Sequence, residues 1–193
     1  SFVADAGQCA NAYQMLVDVL QLPNVFAGGD QESCIGESIV LSAWGAFNYN
    51  WSDNVNNGVS FYPSTGTSVY TVNGTDENGC SNTDEVLVEV YDLPTINAGT
   101  DQELCEGNTT VLSASGNGTF IWSGGIINNQ QFIPSVGTSN YTVYTTDING
   151  CSNSDDIQVL VNPKPTVNAG TDQIICEGGS LVLNGSGANS YEW

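Results

Sequence analysis

The chain has 193 residues and a formal net charge of −20, with 21 carboxylates, one lysine, no arginine and no histidine. This balance excludes nucleic-acid binding, which needs Lys and Arg to displace counterions from phosphates. The absence of histidine also excludes an ordinary Ser–His or Cys–His nucleophile pair. An acidic surface of this kind keeps a secreted protein soluble. No segment approaches the roughly 20 apolar residues of a membrane span, so we expect no membrane insertion here.

A period of 71 residues runs through the whole chain. Residues 24–94 and 95–165 are identical at 35 of 71 aligned positions. Three sets of residues keep the interval: Cys9, Cys80 and Cys151; Cys34, Cys105 and Cys176; and Trp51, Trp122 and Trp193. Such a strict period indicates one small structural unit copied in tandem.

The period also predicts the domain organisation. Residues 24–94 and 95–165 are complete units. Residues 1–23 match the C-terminal part of a preceding unit, and residues 166–193 match the N-terminal part of a following one. Because both terminal segments are partial copies, we expect this sequence to be a window on a longer array.

Each unit alternates apolar and polar residues with a period of two, which is typical of strands. In the second complete unit, a first strand from Ile96 ends at Cys105, and a second strand covers residues 110–113. Phe120 and Trp122 follow two positions apart, so both point to the same face of a central strand. The same pattern predicts an aromatic-centred core that contains Trp51, Trp122 and Trp193.

The second half of the unit has a short strand at Phe132, a long strand from Tyr141, and a closing strand over residues 157–161. Between the last two lies Asp147-Ile148-Asn149-Gly150-Cys151, where Asn-Gly predicts a type I′ hairpin turn. About seven strands in 71 residues predict an all-β fold of tandem two-sheet sandwiches. Residues 10–22 would pass for a helix alone, but their alignment with 81–93 predicts a strand.

The sequence resembles a known class of repeats. The segments NAGTDQELCEGNTTVLSAS and SNYTVYTTDINGCSNSD, with the tryptophan strand between them, are similar to the immunoglobulin-like and PKD-like repeats of large Bacteroidota surface proteins. Those proteins include gliding-motility adhesins and adhesins exported by the type 9 secretion system. The resemblance implies immunoglobulin-like sandwiches in a cell-surface stalk or adhesin.

The six cysteines favour an oxidising, extracellular setting. Two pairings remain open, and free thiols are a third option. The first joins cysteines inside a unit, as Cys34–Cys80 and Cys105–Cys151. In an immunoglobulin-like sandwich, however, the first and last strands run parallel, which would place these partners roughly 23 Å apart. The second pairing, Cys34–Cys151, crosses the junction between units, and the other cysteines would then bond partners beyond this sequence.

Aspartates recur in the predicted loops. Asp30, Asp101 and Asp172 lie in the entry segments of successive units, and Asp76 and Asp147 lie in the hairpins. Oxygen-rich clusters at a junction are candidate Ca²⁺ sites, because Ca²⁺ takes six to eight oxygen ligands. The alternative is that these residues cap turns through their own backbone. No other cofactor is indicated.

These features predict a non-enzymatic structural protein. We expect a stalk, shaft or filament region of a large secreted adhesin on a bacterial cell surface, in which neighbouring repeats are the main partners. One alternative is that the repeats bind a glycan or a protein, for which Trp44, aligned with Ser115 and Ser186, is a candidate stacking platform. The other is an extracellular filament in which copies associate laterally.

Overall fold

The computed structural model describes residues 15–193. Within this range the chain divides between Asp92 and Leu93 into two compact units, which we call unit 1 and unit 2. The division lies two residues before the junction at 94/95 that the sequence period predicts. Among residues 15–193, no helix has the length and apolar character needed to cross a bilayer.

Unit 1 contains six strands and a short 3₁₀ turn. They are β1 (Gln31–Cys34), β2 (Ile39–Val40), β3 (Asn48–Trp51), the turn Ser52–Asn54, β4 (Ser60–Phe61), β5 (Gly66–Thr75) and β6 (Ser81–Tyr91). Four of the strands form one sheet in the order β1-β6-β5-β3, and β2 pairs with β4. An isolated bridge between Phe26 and Trp44 adds a further pairing.

Unit 2 repeats this arrangement. Its elements are β7 (Ile96–Asn97), β8 (Gln102–Cys105), β9 (Thr110–Val111), β10 (Ser115–Gly116), β11 (Thr119–Trp122), the turn Ser123–Gly125, β12 (Gln131–Phe132), β13 (Gly137–Thr146) and β14 (Ser152–Asn162). The larger sheet has the order β11-β13-β14-β8, and the small pairs are β12-β9 and β10-β7. The protein is therefore all-β, and each complete unit is an immunoglobulin-like β-sandwich, as the sequence predicts.

The first and last strands of each large sheet run parallel. In unit 1, β1 pairs with the end of β6, so that Cys34 stands opposite Tyr91. In unit 2, β8 pairs in the same way with the end of β14, and Cys105 stands opposite Asn162. This confirms the parallel arrangement expected from the sequence.

Alternating residues of the long strands build each core. Val86, Val88 and Val90 of β6 are buried, with their intervening neighbours only partly so, and Ile157, Val159 and Val161 of β14 repeat the pattern. Two separate clusters result, one per unit, centred on Trp51 and Trp122. Burial of one face of each sheet supplies the main driving force for folding the unit.

The predicted strand before unit 1 is wrong for its described part, because residues 15–25 have no regular secondary structure. In units 1 and 2 the corresponding strand lies between two partner strands of its own unit, whereas residues 15–25 form no strand pairing among the described residues. Residues 166–193 show a similar effect, since they form only the isolated bridge Asn168–Ser186. A strand without partners has no ladder to satisfy its backbone groups.

The type I′ prediction for the hairpin is also wrong. A type I′ turn needs positive φ at both central residues. Gly79 and Gly150 have φ of 85° and 86°, but Asn78 and Asn149 are not in the left-handed region. The Gly150 N–H donates to the carbonyl of Asp147 at 3.3 Å, closing a turn that ends in a left-handed glycine.

Candidate functional site

In each unit one cysteine directly precedes the last strand. A second cysteine, on the neighbouring parallel strand, lies opposite or next to the end of the last strand. We call the end near the hairpin the hairpin pole, marked by Cys80 in unit 1 and Cys151 in unit 2. The opposite end is the exit pole, marked by Cys34 and Cys105. At the exit pole of unit 1 the chain leaves through Tyr91, whose carbonyl accepts the N–H of Ile35 at 2.9 Å. The poles are therefore where a unit meets the rest of the chain.

The hairpin pole is organised by one aspartate. Asp147 Oδ1 accepts the N–H groups of Asn149 and Cys151, both at 2.9 Å. The Asp147 N–H donates to the carbonyl of Cys151 at 3.0 Å. Asp76 makes the corresponding bonds to Asn78 and Cys80, also at 2.9 Å. The aspartate therefore fixes the backbone that carries the cysteine.

An asparagine joins the hairpin pole to the incoming chain. The Asn153 side-chain amide donates to the carbonyl of Pro94 at 3.0 Å, and Asn82 donates to Pro23 at 3.1 Å. Both prolines are buried. The hairpin pole of unit 2 is thus held against the residue where its own chain enters.

Of the five cysteines within residues 15–193, Cys34 and Cys151 are disulfide-bonded. Cys80, Cys105 and Cys176 carry free thiols. Cys9 lies outside the described residues. Oxidised cysteines fit an extracellular or otherwise oxidising compartment.

The pairings inside a unit are therefore not formed. Cys105 stands opposite Asn162, whereas Cys151 precedes the first residue of the same strand, which has 11 residues. At about 3.3 Å per residue the two cysteines lie roughly 36 Å apart. A disulfide needs Cα atoms about 4.4–6.8 Å apart, so the parallel sheet forbids Cys105–Cys151, and Cys34–Cys80 for the same reason.

The proposed calcium ligands serve the backbone and do not gather. Asp30 Oδ1 accepts the N–H of Leu87 at 2.9 Å, and Asp101 Oδ1 accepts that of Gln158 at 2.8 Å. Leu87 is several residues along the strand from the Asp76 hairpin. Asp172 is exposed in the terminal segment. Within residues 15–193, no group of three or more His, Cys, Asp or Glu side chains is placed to hold a metal.

We expect Asp147→Ala to lower the free energy of unfolding of unit 2 by about 1–2 kcal/mol, because two N–H groups of the hairpin lose their acceptor. Urea unfolding followed by circular dichroism measures this change. Asp156→Ala, which removes an exposed carboxylate from the same strand region, is the matched control and should change the stability by less than about 0.5 kcal/mol. Equal effects of the two variants would contradict the turn-capping role.

The sequence suggests calcium binding at these aspartates, whereas their hydrogen bonds lead us to expect the opposite result. Because the aspartates already accept backbone N–H groups, we expect millimolar Ca²⁺ to leave the melting temperature of the chain unchanged. A ligand that binds only the folded state raises the melting temperature with its concentration. A Ca²⁺-dependent rise that Mg²⁺ does not reproduce would overturn this expectation.

The core tryptophans occupy equivalent sites in the two complete units. Trp51 and Trp122 are each 4% exposed. Their Nε1–H groups donate to the side-chain oxygens of Asn57 and Asn128, at 3.0 and 3.1 Å. Trp193, predicted as the third core aromatic, is instead 61% exposed. Residues 166–193 form only the isolated bridge Asn168–Ser186, so this segment builds no sheet that covers Trp193.

The asparagines beneath the tryptophans were missed by the sequence interpretation. Asn128 Oδ1 accepts both the Trp122 indole N–H and the backbone N–H of Ala114, the latter at 2.8 Å. Asn57 bonds Ala43 in the same way at 2.6 Å. The signal was available, because Asn57 and Asn128 keep the 71-residue interval inside a loop that otherwise varies.

We expect Asn128→Ala to destabilise unit 2 by about 1–3 kcal/mol, because two part-buried donors lose one shared acceptor. Denaturant unfolding monitored by tryptophan fluorescence reports the loss. Gln130→Ala, an exposed neighbour, is the matched control with an expected change near zero. A stability equal to that of the original chain would show that water replaces the asparagine oxygen.

Unit 1 carries an aromatic surface that unit 2 lacks. The rings of Phe26 and Trp44 stack with centroids 5.2 Å apart and planes 18° apart. They are 49% and 54% exposed. The corresponding pair in unit 2 is Asn97 and Ser115, in the same antiparallel register. The fold therefore does not require this stacked pair.

Two tyrosines, Tyr70 and Tyr91, have a raised hydroxyl pKa. Burial raises the pKa of the Tyr70 hydroxyl above 10.0, and the negative charge of Asp53 raises it further. The pKa of Tyr91 is also raised, first by desolvation and then by Glu32 and Glu89. Both phenols thus stay neutral at physiological pH, whereas a general base works best with a pKa near the operating pH.

No protein-family model matches the chain, and no curated protein matches it. Solved structures give distant similarities. The fibronectin(III)-like modules of Clostridium thermocellum CbhA are 14% identical with a TM-score of 0.32, covering 72% of this chain and 94% of that one. The insect immune protein hemolin is 15% identical with a TM-score of 0.37, covering 73% of this chain and 46% of that one.

The I-band fragment I67–I69 from titin is 12% identical with a TM-score of 0.35, covering 76% of this chain and 68% of that one. The chain therefore spans less than half the length of hemolin and about two thirds of the titin fragment. Similarity at this level carries no information about activity or partners, which have to be argued from the residues themselves.

Proposed function

We propose that this chain is a structural stalk or shaft region of a large secreted adhesin on a bacterial cell surface, of the kind carried by the Bacteroidota repeats that the sequence resembles. The observation that supports this proposal is the repetition of the same structural contacts in both units. The hydrogen bonds of the hairpin, the linker proline and the core tryptophan recur 71 residues apart with nearly equal distances. A spacer must be repeated along its length, whereas an active site need not be.

The strand topology supports a load-bearing role. In unit 2 the chain enters near the hairpin pole, beside Asn153, and leaves at the exit pole after Asn162. Tension along the chain would therefore pull the parallel strands β8 and β14 in opposite directions. This geometry loads all the hydrogen bonds between them at once, instead of breaking them one after another.

The charge supports a single thread over a laterally associated filament. Twenty-one carboxylates against a single lysine make like-charge repulsion between copies strong at low salt. Lateral association would bring the same acidic faces together. End-to-end arrangement within one chain separates them along its length.

Imaging tests this proposal. Negative-stain electron microscopy of the purified full-length protein should show thin beaded threads, and an antibody against these repeats should label intact cells. Thicker fibres with a helical repeat would support the filament alternative. Labelling only after permeabilisation of the cells would contradict a surface location.

A second candidate function, glycan binding, is favoured by the stacked pair Phe26–Trp44. Exposed aromatic faces stack on sugar rings, and unit 2 does without them. Screening the chain on a glycan array tests this function. Binding that Trp44→Ser abolishes and Tyr62→Ser leaves unchanged would establish it, since Tyr62 is an even more exposed aromatic of unit 1, at 74% against 54% for Trp44.

A further inference from the structure

The hairpin pole of unit 1 contains a surface pocket with one aromatic wall and two carboxylates. The residues that line it are Gly45, Ala46, Phe47, Asp76 and Glu77. The Phe47 N–H donates to the carbonyl of Thr75 at 2.9 Å, which holds the phenylalanine beside the hairpin. The volume of about 300 Å³ lies at the lower end of the range of ligand pockets. The pocket therefore suits a small ligand or a single side chain of a partner.

We propose that this pocket binds the guanidinium group of an arginine side chain on a partner protein. Such binding is independent of the stalk function, because unit 1 alone forms the pocket. It is also separate from glycan binding at the Phe26–Trp44 pair, since neither of those residues lines the pocket.

Phe47 supplies the apolar wall. It is 64% exposed, so most of the ring is open to an incoming group. The face of an aromatic ring attracts a cation, and in proteins this contact is made more often by arginine than by lysine. A guanidinium is planar and more weakly hydrated than an ammonium, so it can stack on the ring at a lower desolvation cost. Phe47 thus provides a surface on which an arginine can lie.

Asp76 and Glu77 supply the negative charge. Asp76 is half-buried and Glu77 is exposed. The two hydrogen bonds that Asp76 accepts, from the N–H groups of Asn78 and Cys80, both end on Oδ1, which leaves Oδ2 for an outside donor. A guanidinium carries five N–H donors in a flat fork that matches the geometry of a carboxylate. One arginine can therefore stack on the ring and donate to the carboxylates at the same time.

Unit 1 has no cationic side chain of its own to fill the pocket. The chain contains a single lysine, Lys164, and neither arginine nor histidine. That lysine belongs to unit 2. The net charge of −20 also attracts cations toward the chain as a whole. Charge complementarity therefore selects a basic partner.

The lining suits an organic cation better than a metal ion. Ca²⁺ takes six to eight oxygen ligands, whereas this pocket offers two carboxylates and one wall of hydrocarbon. Within residues 15–193, no group of three or more His, Cys, Asp or Glu side chains is placed to hold a metal. A quaternary ammonium is typically held in a cage of aromatic rings, and Phe47 is the single aromatic of this lining. The combination of one ring with two carboxylates favours guanidinium.

Unit 2 lacks this chemistry at the same place in the repeat. Gly118 stands in place of Phe47, and Ile148 stands in place of Glu77. A Cβ at Gly118 would lie 2.8 Å from the carbonyl oxygen of Thr146, so unit 2 has no room for a side chain there. Of the charged pocket residues, only the hairpin aspartate recurs in unit 2, where it caps the same turn. The ring and the second carboxylate are therefore features of unit 1 that the fold does not require.

NMR titration of the isotope-labelled 193-residue chain tests the site. The probe is a short blocked peptide with one arginine between glycines. Its matched control carries citrulline, which has nearly the same shape without the charge. We expect the arginine peptide to shift the backbone amide signals of Phe47 and Glu77, and the citrulline peptide to leave them in place. The amides at the equivalent positions of unit 2, Gly118 and Ile148, should not respond to either peptide.

Variants establish that these shifts report the pocket. Phe47→Ala and Glu77→Gln should each weaken binding of the arginine peptide by about two- to fivefold, the effect of losing one exposed cation–π or charge contact. Tyr62→Ala and Glu32→Gln remove an exposed ring and an exposed carboxylate of unit 1 outside the pocket, and should leave the affinity unchanged. All four side chains are exposed, so the variants should fold, which the dispersion of their amide signals checks.

A lysine peptide and choline distinguish the classes of cation. Tighter binding of the arginine peptide than of the lysine peptide, choline or citrulline supports a guanidinium site. Equal binding of arginine and lysine, or tighter binding of choline, would overturn the assignment to guanidinium. If no probe shifts the amides of the pocket, or if the control variants weaken binding as much as the pocket variants do, the pocket is not a cation site.

Discussion

Trp122→Ala is expected to lower the free energy of unfolding of unit 2 by about 3–5 kcal/mol, the usual cost of truncating a buried aromatic to alanine. Trp122 is 4% exposed and packs in a cluster with Leu112, Val143 and Val159. Its indole N–H also donates to Asn128. A small sandwich has only a thin core, so this loss is a large share of the stability of one unit.

Trp193→Ala is the matched control, because the same residue type at the same position of the repeat is 61% exposed. Its removal should change the stability by less than about 0.5 kcal/mol. Hydrogen exchange of the β13 and β14 amides separates the loss in unit 2 from events in unit 1. Equal protection of these amides in Trp122→Ala and the original chain would contradict the central role of the tryptophan.

Most of the fold could be predicted because it depends on signals that repeat. The valine alternation of β6 and β14 and the short strands at Phe61 and Phe132 lie where the period placed them. The parallel pairing of β1 with β6 could be expected from the immunoglobulin-like sandwich, in which the first and last strands run parallel. Each of these features is decided by a pattern within one complete unit.

The failures have a common physical cause, which is that a residue's environment depends on its partners. Trp193 and the segment 15–22 carry the pattern of the repeat, yet Trp193 is exposed and the segment forms no strand pairing among the described residues. The hairpin glycine was expected in a type I′ turn, but the Asp147 carboxylate captures two N–H groups and sets another geometry. The Asn149-Gly150 dipeptide, from which the type I′ turn was predicted, carries no information about the competing Asp147 side chain.

The two units also show how a hydrogen bond survives substitution. In unit 1 the Tyr49 hydroxyl accepts the Ala46 N–H at 2.8 Å and donates to the Ala46 carbonyl at 2.7 Å. Tyr49 stands opposite Gly74, whose Cβ would meet Val25 at 2.5 Å. The absence of a side chain at Gly74 leaves room for the Val25 side chain.

In unit 2 phenylalanine replaces the tyrosine, and Thr145 replaces the glycine on the opposite strand. The Thr145 hydroxyl donates to the Asn117 carbonyl at 2.8 Å. The donor has therefore moved to the neighbouring strand while its acceptor has kept its place. Taken one at a time, the changes from Tyr49 to Phe120 and from Gly74 to Thr145 do not reveal that together they preserve one contact.

Gly116→Ala is expected to destabilise unit 2 by about 2–6 kcal/mol through backbone strain and steric overlap together. Gly116 has φ of 137°, and a Cβ there would lie 2.0 Å from the carbonyl oxygen of Thr95. The backbone strain costs about 1–3 kcal/mol, and relief of the overlap costs a similar amount. Gly45 and Gly187 meet the carbonyls of Asn24 and Thr166 at 1.9 and 1.8 Å, so this close approach belongs to the repeat itself.

Gly137→Ala separates the two contributions. Gly137 has φ of 107°, but no atom lies within 4 Å of the point that a Cβ would occupy, so alanine there adds backbone strain without a collision. We expect it to cost only about 1–3 kcal/mol, clearly less than Gly116→Ala in the same urea unfolding experiment. If the two variants lose equal stability, the segment that contains Thr95 lies farther from β10 than the 2.0 Å distance to the Cβ position implies. If Gly116→Ala loses more, the glycine is required because the entering chain packs directly on its Cα.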